Sequence, residues 1–388
     1  MQIENAPPTK HYLAYAAVAP PSPEVQRAVM GVLDAYARLG SDAFPLLAAQ
    51  REVLRRDLAT MLGASAESVA FVSSTTRGIT DLALCLKWRK GERIVCFSGE
   101  FPANVTPWQR AAELFELDVT FASLERAAQA TDDFLAEFEQ VLAQGVRLVA
   151  VSAVQFRTGL RMPLDRMSAL CKRYGCELAV DAIQACGVVP LDVRALGIDY
   201  LACGAHKWLR GIEGVGFLYA APERLASLAP RTAGWLSHED PIRFLLEGPG
   251  ELRYDRPFRE GIQFVEGGSS NAAGLAALQT SVRDLLEIGV DGVYARVSAY
   301  LTELDAGLSA RGLTSTRARD PSLHSGILSI APPAGLKAGA VARELRRRGV
   351  VVSTPDGLIR FAPHHLNAAR EIPDVLAALD ETLASLRG

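Results

Sequence analysis

What most constrains this chain is a regular alternation. Short runs rich in β-branched and other apolar residues, at 68–72, 93–97, 118–121, 147–152, 177–180, 199–203 and 214–219, are separated by segments with helical spacing such as 77–86, 103–114, 132–142 and 164–174. Strands alternating with helices build a mainly parallel sheet covered on both faces, so the chain reads as an α/β protein. After about residue 255 the pattern changes. A glycine-rich stretch at 266–271 leads into amphipathic segments at 272–286 and 293–310. A compact β-α-β-like unit follows (326–330, 338–348, 350–353, 358–361), and a closing helix is expected over 366–386. This predicts a large domain over 15–255 and a smaller α+β domain over 256–388 joined by the N-terminal segment 1–14.

At 388 residues the chain can bury a core without disulfides or structural metals. Its 41 Lys and Arg against 44 Asp and Glu give a net charge of −3, which offers no basic field to nucleic acid or anionic lipid. No apolar run of about 18 residues could span a bilayer, and the first 21 residues do not resemble a secretory leader. The six cysteines include no Cys-x-x-Cys pair and read as reduced core thiols. These features predict a soluble, cytoplasmic protein with neither a nucleic-acid nor a membrane partner.

Ligands of open α/β sheets bind beyond the carboxyl ends of the strands, and four such ends carry polar residues. Ser74, Thr75 and Thr76 open a helix after the first run, where backbone N–H groups and hydroxyls suit a phosphate, although Ser and Thr also cap helices for purely structural reasons. Asp181 ends a buried strand and needs a cation or several donors. His206 and Lys207 follow another strand through a turn of small residues, where desolvation would make the lysine a usable amine nucleophile. Arg360 closes a short apolar strand in the C-terminal part, and its planar fork suits a carboxylate. Taken singly, each has a structural alternative: a cap, an ion pair, a solvated lysine, an internal salt bridge. Together they meet the needs of pyridoxal phosphate: an amine for its imine, an acid for its ring nitrogen and a donor-rich phosphate seat. The arginine would clamp an amino-acid carboxylate.

The ordered segments Ser-Thr-Thr-Arg-Gly (74–78), Glu-Phe-Pro-Ala-Asn-Val-Thr-Pro-Trp (100–108), Val-Asp-Ala-Ile-Gln (180–184), Gly-Ala-His-Lys (204–207), Gly-Gly-Ser-Ser-Asn (267–271) and Ile-Arg-Phe-Ala-Pro-His-His (359–365) resemble the class V aminotransferase family. The nearest groups in it are cysteine desulfurase-like and isopenicillin-N-epimerase-like members. The resemblance implies the fold-type I pyridoxal-phosphate-dependent transferase fold, with a mainly parallel seven-stranded sheet in the large domain. It further implies that Lys207 forms the Schiff base, Asp181 pairs with the ring nitrogen, Gln184 meets the ring hydroxyl and Phe101 stacks on the ring. Thr75, Thr76 and His206 would contact the phosphate. Ser269 would reach the phosphate of a neighbouring subunit, which implies a homodimer with its active site at the interface. Arg360 would hold the substrate carboxylate.

The chain also departs from the family. The stretch 350–360 lacks the mobile cysteine of cysteine desulfurases, which disfavours persulfide chemistry. Phe101 stands where desulfurases stack a histidine, Phe156 where an asparagine is common, and Gly204 where a hydroxyl residue is common. The resulting expectation is an enzyme acting on an α-amino acid, with transamination first, β-elimination or epimerisation as alternatives, and a catalytically silent binding subunit as the reading from another class. His364, His365 and His238 read as hydrogen-bonding or solvated residues. Arg157, Arg253, Arg256 and Arg259 read as surface arginines that could reach a substrate's distal acid group.

Overall fold

The computed structural model describes residues 9–387. The chain enters through β1 (His11–Tyr12) and two long helices, α1 (Pro23–Leu39) and α2 (Phe44–Leu62). It then alternates through β2 (Val69–Val72), α3 (Thr75–Cys85), β3 (Arg93–Phe97), α4 (Thr106–Phe115), β4 (Asp118–Ala122), α5 (Thr131–Leu142), β5 (Leu148–Ser152), α6 (Leu164–Arg173) and β6 (Glu177–Asp181) before closing with β7 (Tyr200–Gly204) and β8 (Gly216–Ala220). Seven of these strands form one sheet in the order β2-β8-β7-β6-β5-β3-β4, with β8 antiparallel to both neighbours and the other pairings parallel. The strand pattern thus gives the expected α/β architecture. On β5, Val149 and Val151 enter one apolar cluster while Leu148 and Ala150 enter the other. This period of two is why the central strands read as unbroken apolar runs: both faces are covered.

From β3 the chain moves outward to β4, then returns to β5 on the other side of β3. The reversal opens a crevice beyond the carboxyl ends of β3 and β5, the general location of ligand sites in such sheets.

The remaining elements are α7 (Arg243–Leu246), α8 (Ala272–Ile288), α9 (Val290–Ser309), β9 (Leu328–Ile330), α10 (Ala338–Arg347), β10 (Val350–Val351), β11 (Ile359–Phe361) and α11 (Ile372–Arg387). Helix α8 packs against α1 and α2. Two expectations are corrected here. The C-terminal unit is not a closed β-α-β motif: β9 pairs antiparallel with β11, whereas β10 pairs parallel with β1. The N-terminal segment inserts between them, because Leu13 N donates to Val351 O and Ala362 N donates to Leu13 O, each at 2.8 Å. The closing helix starts at Ile372, not near 366. Asn367 Oδ1 accepts from His364 N at 2.9 Å and Glu371 Oε1 accepts from Ala368 N at 3.2 Å, local bonds that compete with helix formation until Pro373 favours a first turn. Among the described residues no helix is long and apolar enough to cross a membrane. All six cysteines are free and buried.

Candidate active site

Asp181 is the last residue of β6, level with Ser152 of β5 on one side and Ala202 of β7 on the other. Lys207 lies three residues past the end of β7. Its turn is held from several directions. Arg210 N donates to Lys207 O at 2.9 Å and Gly211 N donates to Ala205 O at 2.9 Å. The adjacent Trp208 is fully buried, its Nε1 donates to Gln184 Oε1 at 2.8 Å, and its carbonyl lies 3.0 Å from His364 Nε2. A carbonyl accepts only from a protonated nitrogen, so this contact places the His364 proton on Nε2. The sequence-predicted lysine therefore sits on a rigid turn.

The two ionisable groups lie in each other's field. Burial raises Asp181 to about 7, the Glu100 carboxylate adds to the rise, and Lys207 opposes it. Burial lowers Lys207 to about 8 against the opposing pull of Asp181, while the Arg360 guanidinium adds to the lowering. Among the described residues only Ile183 N, at 2.9 Å, hydrogen-bonds the Asp181 carboxylate, through Oδ1. Its second oxygen is left for another donor. Lys207 Nζ lies 5.6 Å from the centre of the Phe101 ring, which meets Phe156 edge-on at 5.3 Å. Phe101 thus lies beside the amine.

Arg360 is 4% exposed. Its Nε donates to Ser353 Oγ at 2.9 Å and its Nη1 to the Phe156 carbonyl at 2.6 Å. No carboxylate pairs with it among the described residues, and burial alone brings it down to about 10. A buried guanidinium held by two neutral acceptors and retaining free N–H groups is ready for an anionic ligand.

On the phosphate side, Thr75 is buried and its hydroxyl accepts from Gly204 N at 2.8 Å. A methyl group on Gly204 would stand 3.2 Å from Thr75 Oγ1 and 3.5 Å from His206 Nδ1, so Thr75 and His206 flank one point. Burial lowers the His206 pKa, as does the charge of Lys207. Ser74 takes the structural role: as N-cap of α3 it accepts from Arg77 N at 3.1 Å. Thr76, in the first turn, is exposed. Gln184 is already engaged on both ends of its amide, since Nε2 donates to Ala16 O at 3.0 Å while Oε1 accepts from Trp208; one amide hydrogen remains. Ser269 is exposed and borders a cavity of ≈ 530 Å³, whose wall also includes Ser73, Arg77 and Gly214. Neither this cavity nor the larger one of ≈ 610 Å³, between α6 and the segment 320–323, is lined by Lys207.

Glu100 was not singled out by the sequence reading, although it precedes Phe101. It is buried, and it accepts from Ser152 N at 2.7 Å, from Gln155 Nε2 at 2.9 Å, from Asn104 Nδ2 at 3.4 Å and from the Ser152 hydroxyl. It therefore ties the end of β3 to the end of β5 across the crevice. The feature that could have revealed it is the one that revealed Asp181, a carboxylate just beyond an apolar strand.

A lysine and an aspartate thus stand at the carboxyl ends of the seven-stranded sheet with an unpaired arginine acting on the lysine, and the sequence pattern of the Aminotransferase class-V family matches residues 11–360. The chain belongs to that family. It is 25% identical over 333 residues to the uncharacterized aminotransferase YcbU of Bacillus subtilis (strain 168), covering 86% of this chain and 83% of that one. It is 27% identical over 353 residues to a probable cysteine desulfurase of Pyrococcus abyssi, covering 87% and 84%. Among solved structures, the complex of the cystine C-S lyase C-DES with its reaction product cysteine persulfide superposes with a TM-score of 0.86 at 23% identity, over 95% of this chain and 96% of that one.

Proposed function

We propose that this protein is a pyridoxal-phosphate-dependent enzyme that binds an α-amino acid and removes its Cα proton with Lys207. The observation that carries the reading is that the buried Lys207, its Nζ 5.6 Å from the Phe101 ring centre, lies in the field of both the Asp181 carboxylate and the unpaired Arg360 guanidinium. The residues fit the cofactor. Asp181 has an oxygen free for a ring N–H, Phe101 lies by the lysine, and Thr75 and His206 flank one point beside it. When bound, pyridoxal phosphate supplies an aldehyde that condenses with amines and a ring that withdraws electrons from the Cα–H bond.

The chain's own groups account for the rest. Arg360 grips the substrate carboxylate in a dry setting and fixes which Cα bond faces Lys207. The lowered Lys207 pKa leaves a substantial neutral fraction near pH 8, so Nζ can accept the Cα proton and return it. The Asp181 carboxylate holds a positive charge at the ring nitrogen.

The relatives named above tilt the reaction type toward carbon–sulfur bond cleavage rather than the transamination expected first. Because the described thiols are all buried, a lyase that releases its sulfur-bearing group directly fits better than one that relays it through a mobile cysteine. Transamination is the second reading, supported by the likeness to YcbU. Buried free thiols also support a reducing compartment, the cytosol. Exposed Ser269 and the exposed apolar side chains Met30, Leu33, Tyr36 and Leu39 of α1 support a homodimer.

Borohydride reduction followed by peptide mass analysis tests the cofactor assignment: cofactor mass on Lys207 supports it. Its absence from folded, cofactor-supplied protein favours the silent binding subunit. With cysteine-type substrates, pyruvate formation marks elimination, whereas conversion of the cofactor to its amine form marks transamination.

A further inference from the structure

Next to the residue whose carbonyl holds Arg360 stands a second guanidinium, that of Arg157. Arg157 follows Phe156, whose carbonyl accepts from Arg360, and its own carbonyl accepts from Ser329 Oγ at 2.7 Å. Two consecutive backbone carbonyls are thus pinned beside the carboxylate clamp, and the Arg157 side chain starts from a fixed base. Its Nε lies 2.9 Å from Asp356 Oδ2, the only carboxylate paired with it among the described residues. Asp356 belongs to the turn between Ser353, which holds Arg360 Nε, and Arg360 itself, so both members of the pair come from segments that build the clamp.

The pair is poorly anchored. The side chains are 45% and 69% exposed, and ion pairs at such exposure contribute little. Asp356 also adopts a left-handed conformation, φ 46°, which a residue with a side chain reaches at a cost. An incoming anion can therefore replace Asp356 on Arg157 without breaking a buried network. By contrast, the five-donor fork of Arg157 cannot give up its charge and rewards an anion over a neutral group.

We propose that Arg157 is the specificity-determining residue of this site, and that the substrate is an α-amino acid with a second anionic group at its distal end. That group takes the place of the Asp356 carboxylate while Arg360 holds the α-carboxylate. Neutral side chains leave the Arg157–Asp356 pair closed. The inference rests on the cofactor reading above and deepens it.

The test uses the full chain loaded with pyridoxal phosphate, with borohydride trapping on Lys207 as a separate check. Spectral titrations compare S-carboxymethyl-L-cysteine with S-carbamoylmethyl-L-cysteine, and L-glutamate with L-glutamine, pairs alike in shape and different in charge. The acid of at least one pair is expected to bind about tenfold more tightly than its amide, the effect of one charge-assisted contact. Arg157→Ala should bring that ratio close to one with little change for the amide, and Asp356→Asn should raise affinity for the acid severalfold. The proposal is overturned if the loaded wild-type protein shows no preference for either acid, or if the preference survives Arg157→Ala. A chain that loads and traps cofactor on Lys207 while showing no acid preference refutes only this inference. A folded chain whose Lys207 cannot be trapped refutes the cofactor reading and this inference with it.

Discussion

Lys207 and Asp181 depart from ordinary values in opposite directions, and both shifts come first from burial. With Lys207 at about 8, its neutral form dominates above that pH, so cofactor uptake by the free protein should rise with pH and be half-maximal near 8. An exposed lysine would place that midpoint near 10.4. Stopped-flow absorbance measures it, and Lys207→Arg should abolish the phase. Asp181 is raised, so it stabilises the fold in its protonated form: the contribution is complete below about 3.9 and is lost as pH climbs through about 7. Asp181→Asn removes that dependence. In cofactor-free protein, the melting temperature of the variant relative to wild type should increase by a few degrees between pH 5 and pH 8. A constant difference would show that Asp181 does not titrate in this range. The same substitution in the loaded enzyme should lower kcat about a hundredfold or more, because a preorganised charge at the reacting group is lost.

Among the elements, the two strand ends that border the crevice are joined by Glu100. Replacing it with alanine leaves Ser152 N, the Ser152 hydroxyl, Gln155 and Asn104 without their common acceptor, at a cost of about 2–4 kcal/mol by urea denaturation. A change below about 0.5 kcal/mol would mean that these donors find water instead. The strands of the large sheet were readable to within a residue or two, because a strand covered on both faces is a short unbroken apolar run bounded by turn and helix-cap residues. The strands of the C-terminal part were readable as strands but not as pairs. Leu13 wedges residues 11–14 between β10 and β11, and nothing near residue 350 announces a partner more than three hundred positions away. Helix α11 begins late for a related reason: the side chains of Asn367 and Glu371 satisfy backbone groups that a helix would have used.

On the scale of the whole molecule, α1 exposes Met30, Leu33, Tyr36 and Leu39, a surface that the proposed homodimer would cover. Sedimentation should give a dimer, and Leu33→Glu should shift it toward monomer and weaken cofactor retention together. A monomeric wild-type protein that retains the cofactor fully would end the shared-site proposal.

The sequence singled out Lys207, Asp181 and Arg360 as charged residues beside apolar strands, where burial must be compensated; the structure puts Asp181 at the last residue of β6, Lys207 three residues past β7, and Arg360 in the middle of β11 and not at its end. The alternation of strand and helix likewise determined the α/β class. Tertiary structure alone decided the companions of these residues: the Glu100 charge acting on Asp181, the Phe156 carbonyl on Arg360, Trp208 between Gln184 and His364, and Asp356 on Arg157. Local periodicity depends on near neighbours and is written along the chain. Hydrogen-bond partners and proton affinities depend on which distant segments meet in a low-dielectric interior, and that meeting is a property of the packed fold.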